Sequence, residues 1–301
     1  MMGDDTINMK VTDHEKILHK LKLVLSWVGG LLALIGVLFV VIRLVGYADK
    51  LDLSQLQTVD WLVLSALSIL YAIMNVALVL AWQQIMKSLK TPLGFWQAAH
   101  IYGMSQLAKY VPGNIFHLAG RQALGMAAGV PGWALAKSSV WELGLIAVAG
   151  ALFGLLSLPL WWQSFPSVVA LLLFVIVLIV MGLAARRWLK LPMAFALGCY
   201  VLFLTVSGLI FFVVLSLVSS VSVTTGMLLG LVGAFVIAWL AGLLTPGAPA
   251  GVGVRELVLL FVLKGAVAEA DLLLAVAIGR VVTVAGDLLF FLGAAGIRRK
   301  E

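Results

Sequence analysis

The chain has 301 residues, of which 63% are hydrophobic and only 11% carry charge, against about 45–50% apolar and roughly 25% charged in soluble domains. That balance excludes a water-soluble domain and predicts an all-α polytopic membrane protein. The net charge of +7 does not indicate a nucleic-acid partner, because the basic residues lie beside apolar runs instead of forming one patch, and they read as topology signals.

In chain order, Lys16, Lys20 and Lys22 precede an apolar run from Leu23 to Val41. That run is long enough to span and lacks an A-x-A-like cleavage site, so it reads as a retained first helix. Residues 1–22 are a cytoplasmic leader: either 7–22 form a short interfacial helix, with Thr12 and Glu15 at capping-box spacing, or the whole leader is solvated. Full spans are expected at 23–45, 61–82, 134–158, 165–185, 193–218 and 271–294, each near or above the ~20 residues that cross ~30 Å of hydrocarbon. Between them lie two segments, 91–133 and 226–265, that glycine and proline interrupt. Cys199 is the only cysteine, which leaves no disulfide framework and no thiolate metal site.

Positive charge orients these spans. Lys10, Lys16, Lys20 and Lys22 precede the first, Lys87 and Lys90 follow the second, Arg186, Arg187 and Lys190 follow the fourth, and Arg298, Arg299 and Lys300 end the chain. Placing all of them in the cytoplasm leaves the opposite connections poor in positive charge, with both termini inside. The segment 91–133 must then enter and leave on the cytoplasmic face, and 226–265 on the external face. The expectation is six full transmembrane helices plus two re-entrant hairpins in an inverted repeat, one repeat over 23–158 and the other over 165–295. A complete crossing by 226–245 would remove the inversion.

The hairpin turns are expected at Pro112-Gly113 and Pro246-Gly247, each followed nine positions after its proline by an arginine, Arg121 or Arg255. Breaks and cations at membrane depth are tolerated where they face protein or a polar cavity, and paired breaks in two halves point to a transport site. Arg121 and Arg255 are therefore the leading substrate-binding candidates, with Asn114 as an N-cap for the first half-helix and Arg280 as a further cation. Half-helix N-termini favour anions. The competing reading pairs these arginines with Glu142, Glu256 or Asp287, which would lock the hairpins. Glu142, Glu256 and Asp287 are otherwise candidates for pathway or coupling roles, and Asp287 lies seven positions after Arg280, two turns along one face. Lys109, His100 and His117 line the first hairpin, but two histidines without a nearby carboxylate make no metal site. Gly150-x-x-x-Gly154 and Gly226-x-x-x-Gly230 suit close helix packing. Trp96, Trp133, Trp161, Trp162 and Trp188 suit an aromatic belt. No nucleophile elbow, H-E-x-x-H or P-loop occurs, so neither enzymatic activity nor a cofactor is expected.

The stretches YVPGNIFHLAGRQALGMAAGV and SSVWELG, then TPGAPAGVGVRELVLLFVLKGAV and AIGRVVTVAGD, resemble the lysylphosphatidylglycerol synthase transmembrane (flippase-like) family over about residues 20–295. The resemblance implies that Arg121, Glu142, Arg255, Glu256 and Arg280 fall on the family's motif positions, and that the membrane region moves a lipid between leaflets. The sequence ends at Glu301 without room for the synthases' aminoacyltransferase domain, so lysyl-lipid synthesis is not expected. Three functions stay open: a flippase for an anionic lipid (phospholipid or polyprenyl-phosphate-linked sugar) in a bacterial inner membrane; a proton-coupled exporter of a small organic anion; and a non-transporting scaffold for a glycosyltransferase or lipid-modifying enzyme.

Overall fold

The computed structural model describes residues 57–111, 115–162, 164–219, 227–245 and 249–297, together with residues 20, 24, 27, 35 and 38. The expected leader and first span fall almost wholly outside that set. So do Pro112, Gly113, Asn114, Pro246, Gly247, Gly226 and the basic residues 298–300.

Helix α1 (Thr58–Ser88) opens where the backbone N–H of Gln57 donates to Asp60 Oδ2 at 2.9 Å. It closes where Lys90 adopts φ +61° and Thr91 N–H returns to the Met86 carbonyl, a left-handed stop. The first interrupted segment follows as α2 (Phe95–Gln106), a tight turn Leu107–Tyr110, and α3 (Phe116–Ala127). Helices α4 (Gly132–Leu152) and α5 (Gly154–Trp161) make one 30-residue apolar span, stepped at Phe153, whose N–H bonds three residues back to Gly150. Then come α6 (Ser167–Ala184), a widened turn Ala185–Leu189, and α7 (Leu191–Val218) with proline in its first turn, where a missing N–H costs nothing. The second interrupted segment is α8 (Leu228–Leu244), a short turn Pro249–Gly251, and α9 (Val254–Val262); α10 (Glu269–Ala295) ends the described chain.

Five helical stretches are long and apolar enough to cross a membrane, and no strand occurs among the described residues. This is an all-helical, multi-pass membrane protein. Those five coincide with the expected spans other than the first, their ends shifted by a few residues. The arms of the interrupted segments are shorter. The 12 residues of α2 and of α3 reach about 18 Å, the nine of α9 about 14 Å, and the 17 of α8 about 26 Å at 1.5 Å per residue.

Helices α1, α7 and α10 pack on one another, and the interrupted segments close around them: α2 and α3 against α10 and α4, α8 and α9 against α5, α7 and α10. Helix α6 buries only Ala170 and Phe174, so most of its apolar surface faces outward, as lipid contact allows. The small residues act as expected for packing. Gly150 and Gly154 lie against Leu240 and Ile237 of α8, and Gly230 against Leu160.

The closest approach that matters for the site is at Gly286 of α10, where an added Cβ would lie 2.7 Å from the Ser68 carbonyl and 2.9 Å from the Tyr71 ring. Backbone cannot yield as a flexible side chain can, so Gly286→Ala should cost about 1–3 kcal/mol through overpacking. A denaturant titration in detergent micelles measures this, and an unchanged midpoint would refute the close approach.

Candidate functional site

The turns Leu107–Tyr110 and Pro249–Gly251 of the two interrupted segments meet. Leu107 and Tyr110 pack with Val284 of α10, and Ala250 from the second segment packs against the same group. Beside this junction lies a partly enclosed cavity of about 100 Å³. Its polar lining includes Gln106, Lys109, His117, Glu142, Arg255 and Arg280, and its aromatic walls include Tyr71, Tyr102, Tyr110 and Trp239.

Three ion pairs tie the short helices to the long ones. Arg121 of α3 pairs with Glu142 of α4 through Nη1 and Oε2. The other carboxylate oxygen accepts from the Tyr102 hydroxyl at 2.8 Å. The guanidinium is only 2% exposed and lies 3.8 Å from the Tyr102 ring centre and 5.4 Å from that of Trp82, cation–π contacts that stabilise a desolvated cation. Its Nε and Nη2 find no hydrogen-bond acceptor among the described residues.

In the second segment the same bracket appears with its polarity reversed. Glu256 of α9 receives Arg280 of α10 at 2.9 Å from Nε and 2.8 Å from Nη2, and its second oxygen accepts the Gly253 N–H at 2.8 Å. Arg280 also donates to the carbonyls of Ala250 and Gly251 at 3.3 and 3.2 Å. It thereby holds a loop in which Ala250, Gly251 and Gly253 all have positive φ, a conformation for which glycine is suited at two of the three.

The third bracket is centred on Asp287, which is fully buried. It accepts from Lys109 Nζ at 2.7 Å, Tyr110 Oη at 2.5 Å, and the amides of Asn75 and Gln106 at 3.3 Å. Asn75 Oδ1 takes a further bond from Gln106 at 3.1 Å. Asp287 therefore does not pair with Arg280. Two turns along one helix face place them about 10 Å apart, and each finds its partner on a different element.

Arg255 is the exception. No ion pair reaches it among the described residues, its Nε has no hydrogen-bond acceptor there, and its guanidinium lies 5.8 Å from the Trp239 ring centre. It lines both the central cavity and a smaller one of about 20 Å³ beside Ser207 and Thr283. Its position depends on two glycines. Cβ atoms added at Gly242 or Gly251 would lie within 3.1 Å of its Cγ or Nε, so only hydrogen at both leaves room for the side chain.

The expected pair of equivalent guanidiniums is thus split. Arg121 is absent from the cavity lining and sealed against Glu142, whereas Arg255 lines the cavity. Arg280, expected to bind substrate, lines the cavity with its donors committed to Glu256 and the loop carbonyls. Glu142 reaches the cavity wall; Glu256 and Asp287 do not. Helix α3 begins after Ile115 as its N-cap, and Asn114 lies outside the described residues. Charge-based reading passed over Asn75, Gln106, Tyr102 and Tyr110. Asn75 and Gln106 did carry a signal, each being an amide within a run of apolar or small residues. His100 bonds to the Ala294 carbonyl, and no group of metal-ligating side chains occurs among the described residues.

No family model, curated protein or solved structure matches this chain.

Proposed function

We propose that this protein moves an anionic lipid between leaflets of a bacterial inner membrane, both termini cytoplasmic, with Arg255 as the residue that binds the headgroup phosphate. One observation carries the reading. Among the described residues, four cations (Lys109, Arg121, Arg255 and Arg280) gather at the junction with three carboxylates (Glu142, Glu256 and Asp287), each carboxylate is taken by another cation, and Arg255 is left at the cavity wall. A surplus cation at membrane depth is costly unless water or an anion meets it, and a guanidinium suits a phosphate's paired oxygens.

The topology that serves this function has six spans and two re-entrant hairpins, α2–α3 from the cytoplasmic face and α8–α9 from the external face, as an inverted repeat. Its support is the positive-inside pattern and the shortness of α2, α3 and α9 beside ~30 Å of hydrocarbon. The family proposed for the chain remains the lysylphosphatidylglycerol synthase transmembrane group, on the motifs quoted above. Arg121 and Glu142 then position the first hairpin, and the lipid's tails stay in the bilayer while the phosphate occupies the cavity. The cavity's modest volume of about 100 Å³ also favours a second reading, export of a small organic anion.

Reconstitution into proteoliposomes tests both. Loss of one charge-assisted contact, worth about 1.5–3 kcal/mol, should slow flipping of a fluorescent phosphatidylglycerol roughly tenfold to a hundredfold in Arg255→Gln, with partial recovery in Arg255→Lys. Flipping at the wild-type rate in Arg255→Gln rejects the proposal. Competition by soluble glycerol phosphate, with uptake that needs no lipid, would favour the small-anion reading.

A further inference from the structure

Helix α4 serves two different spaces. Glu142, Leu143 and Ile146 face the central cavity, while Trp141, Gly144, Leu145 and Val148 line a groove on the other side. The spacing 141, 144, 145, 148 is one helical stripe. The groove, closed by Met181 and Trp188 on one side and Leu197 of α7 on another, has a volume of about 430 Å³, and every lining side chain is apolar or aromatic. It opens outward, since Val148 is half exposed and Trp188 is 77% exposed.

The turn that walls one part of this groove also carries basic residues. The widened turn Ala185–Leu189 supplies Ala185, Trp188 and Leu189 to the lining and carries Arg186 and Arg187, both exposed. Lys190 follows, exposed and at φ +77°. No acidic residue occurs anywhere from Ser167 to Val218, and no ion pair takes up these three cations among the described residues. An apolar slot with three unneutralised cations on or directly after one of its walling turns matches the two parts of an anionic lipid, an acyl chain and a phosphate. It fits a second copy of the chain poorly, because a two-fold pairing through the same patch would bring two basic triplets together.

We propose that this groove holds an acyl chain of an anionic phospholipid from the surrounding bilayer, with its phosphate bound by Arg186 and Arg187, at a site separate from the central cavity. The site goes beyond the transport reading and stands without it. Trp188 covers the chain at the interface, and Gly144 borders open space, where a Cβ would meet nothing within 4 Å, so that a bulky side chain there would project into the slot.

Native mass spectrometry of the full chain in detergent micelles, with phosphatidylglycerol and phosphatidylcholine added at equal mole fraction, tests the proposal. Retained adducts should favour phosphatidylglycerol by roughly tenfold or more, at about fivefold per cation. Arg186→Gln with Arg187→Gln should abolish that preference, and Gly144→Leu should reduce retention of both lipids, while the thermal midpoint of the lipid-free protein stays unchanged. Equal retention of the two lipids by the wild type, or retention indifferent to both sets of substitutions, overturns the site. A dimer that Gly144→Leu dissociates would place a second copy in the groove and overturn it equally.

Discussion

Glu142→Ala should destabilise the protein by about 3–5 kcal/mol, because it strands a buried guanidinium with no counter-charge. Arg121 cannot escape that loss. It is 2% exposed and packed against the Tyr102 and Trp82 rings. The paired change Arg121→Met with Glu142→Met should recover most of the stability, since replacing both members of a buried pair by apolar groups is often neutral. The Tyr102 hydroxyl then loses its acceptor, for a residual cost of about 1–3 kcal/mol. A double-mutant cycle read by denaturant unfolding in mixed micelles measures the coupling. Additive single effects would show that the two side chains do not interact as described.

The second large effect is expected at Asp287. Asp287→Ala removes the acceptor shared by Lys109, Tyr110, Asn75 and Gln106 and should cost about 2–4 kcal/mol. The loss should be smaller than at Glu142 for a geometric reason. The Lys109 side chain is 20% exposed and lines the cavity, so its ammonium can turn toward water on a flexible stem. The Gln106 and Asn75 amides already bond to each other. Asp287→Asn should be milder still, since one amide oxygen continues to accept from Tyr110. Both variants are read by the same unfolding titration, and a larger loss at Asp287→Ala than at Glu142→Ala would reverse the ranking.

Much of the architecture was legible because apolar length alone decides it. An uninterrupted run that can cross hydrocarbon has no better conformation than a helix, so five expected spans match described helices closely. The interruptions were legible too: α2 with its turn stops at Tyr110 and α3 starts at Phe116, and α8 stops at Leu244 before α9 starts at Val254. What one dimension could not carry was the pairing. Lys109 and Asp287 are 178 positions apart in sequence, and their contact depends on α2 and α10 lying side by side. The approach of α10 to α1 at Gly286 in turn sets Asp287 beside Asn75. Arg121 and Arg255 looked alike because both follow a Pro-Gly break by the same interval. They differ because Glu142 turns to Arg121 whereas Glu256 turns to Arg280, leaving Arg255 without a carboxylate among the described residues.

Two of the three brackets attach to α10: Lys109 of the first segment at Asp287, and Glu256 of the second at Arg280, two helical turns away. That helix is a shared axle. Sliding it by one turn, about 5.4 Å, would pull both attachments out of register together, loosening both interrupted segments at once. Weakening one anchor should therefore register at the other. Faster amide exchange across 254–262 in Asp287→Asn would be the signature of that linkage, and undisturbed exchange there would show that the two segments work independently.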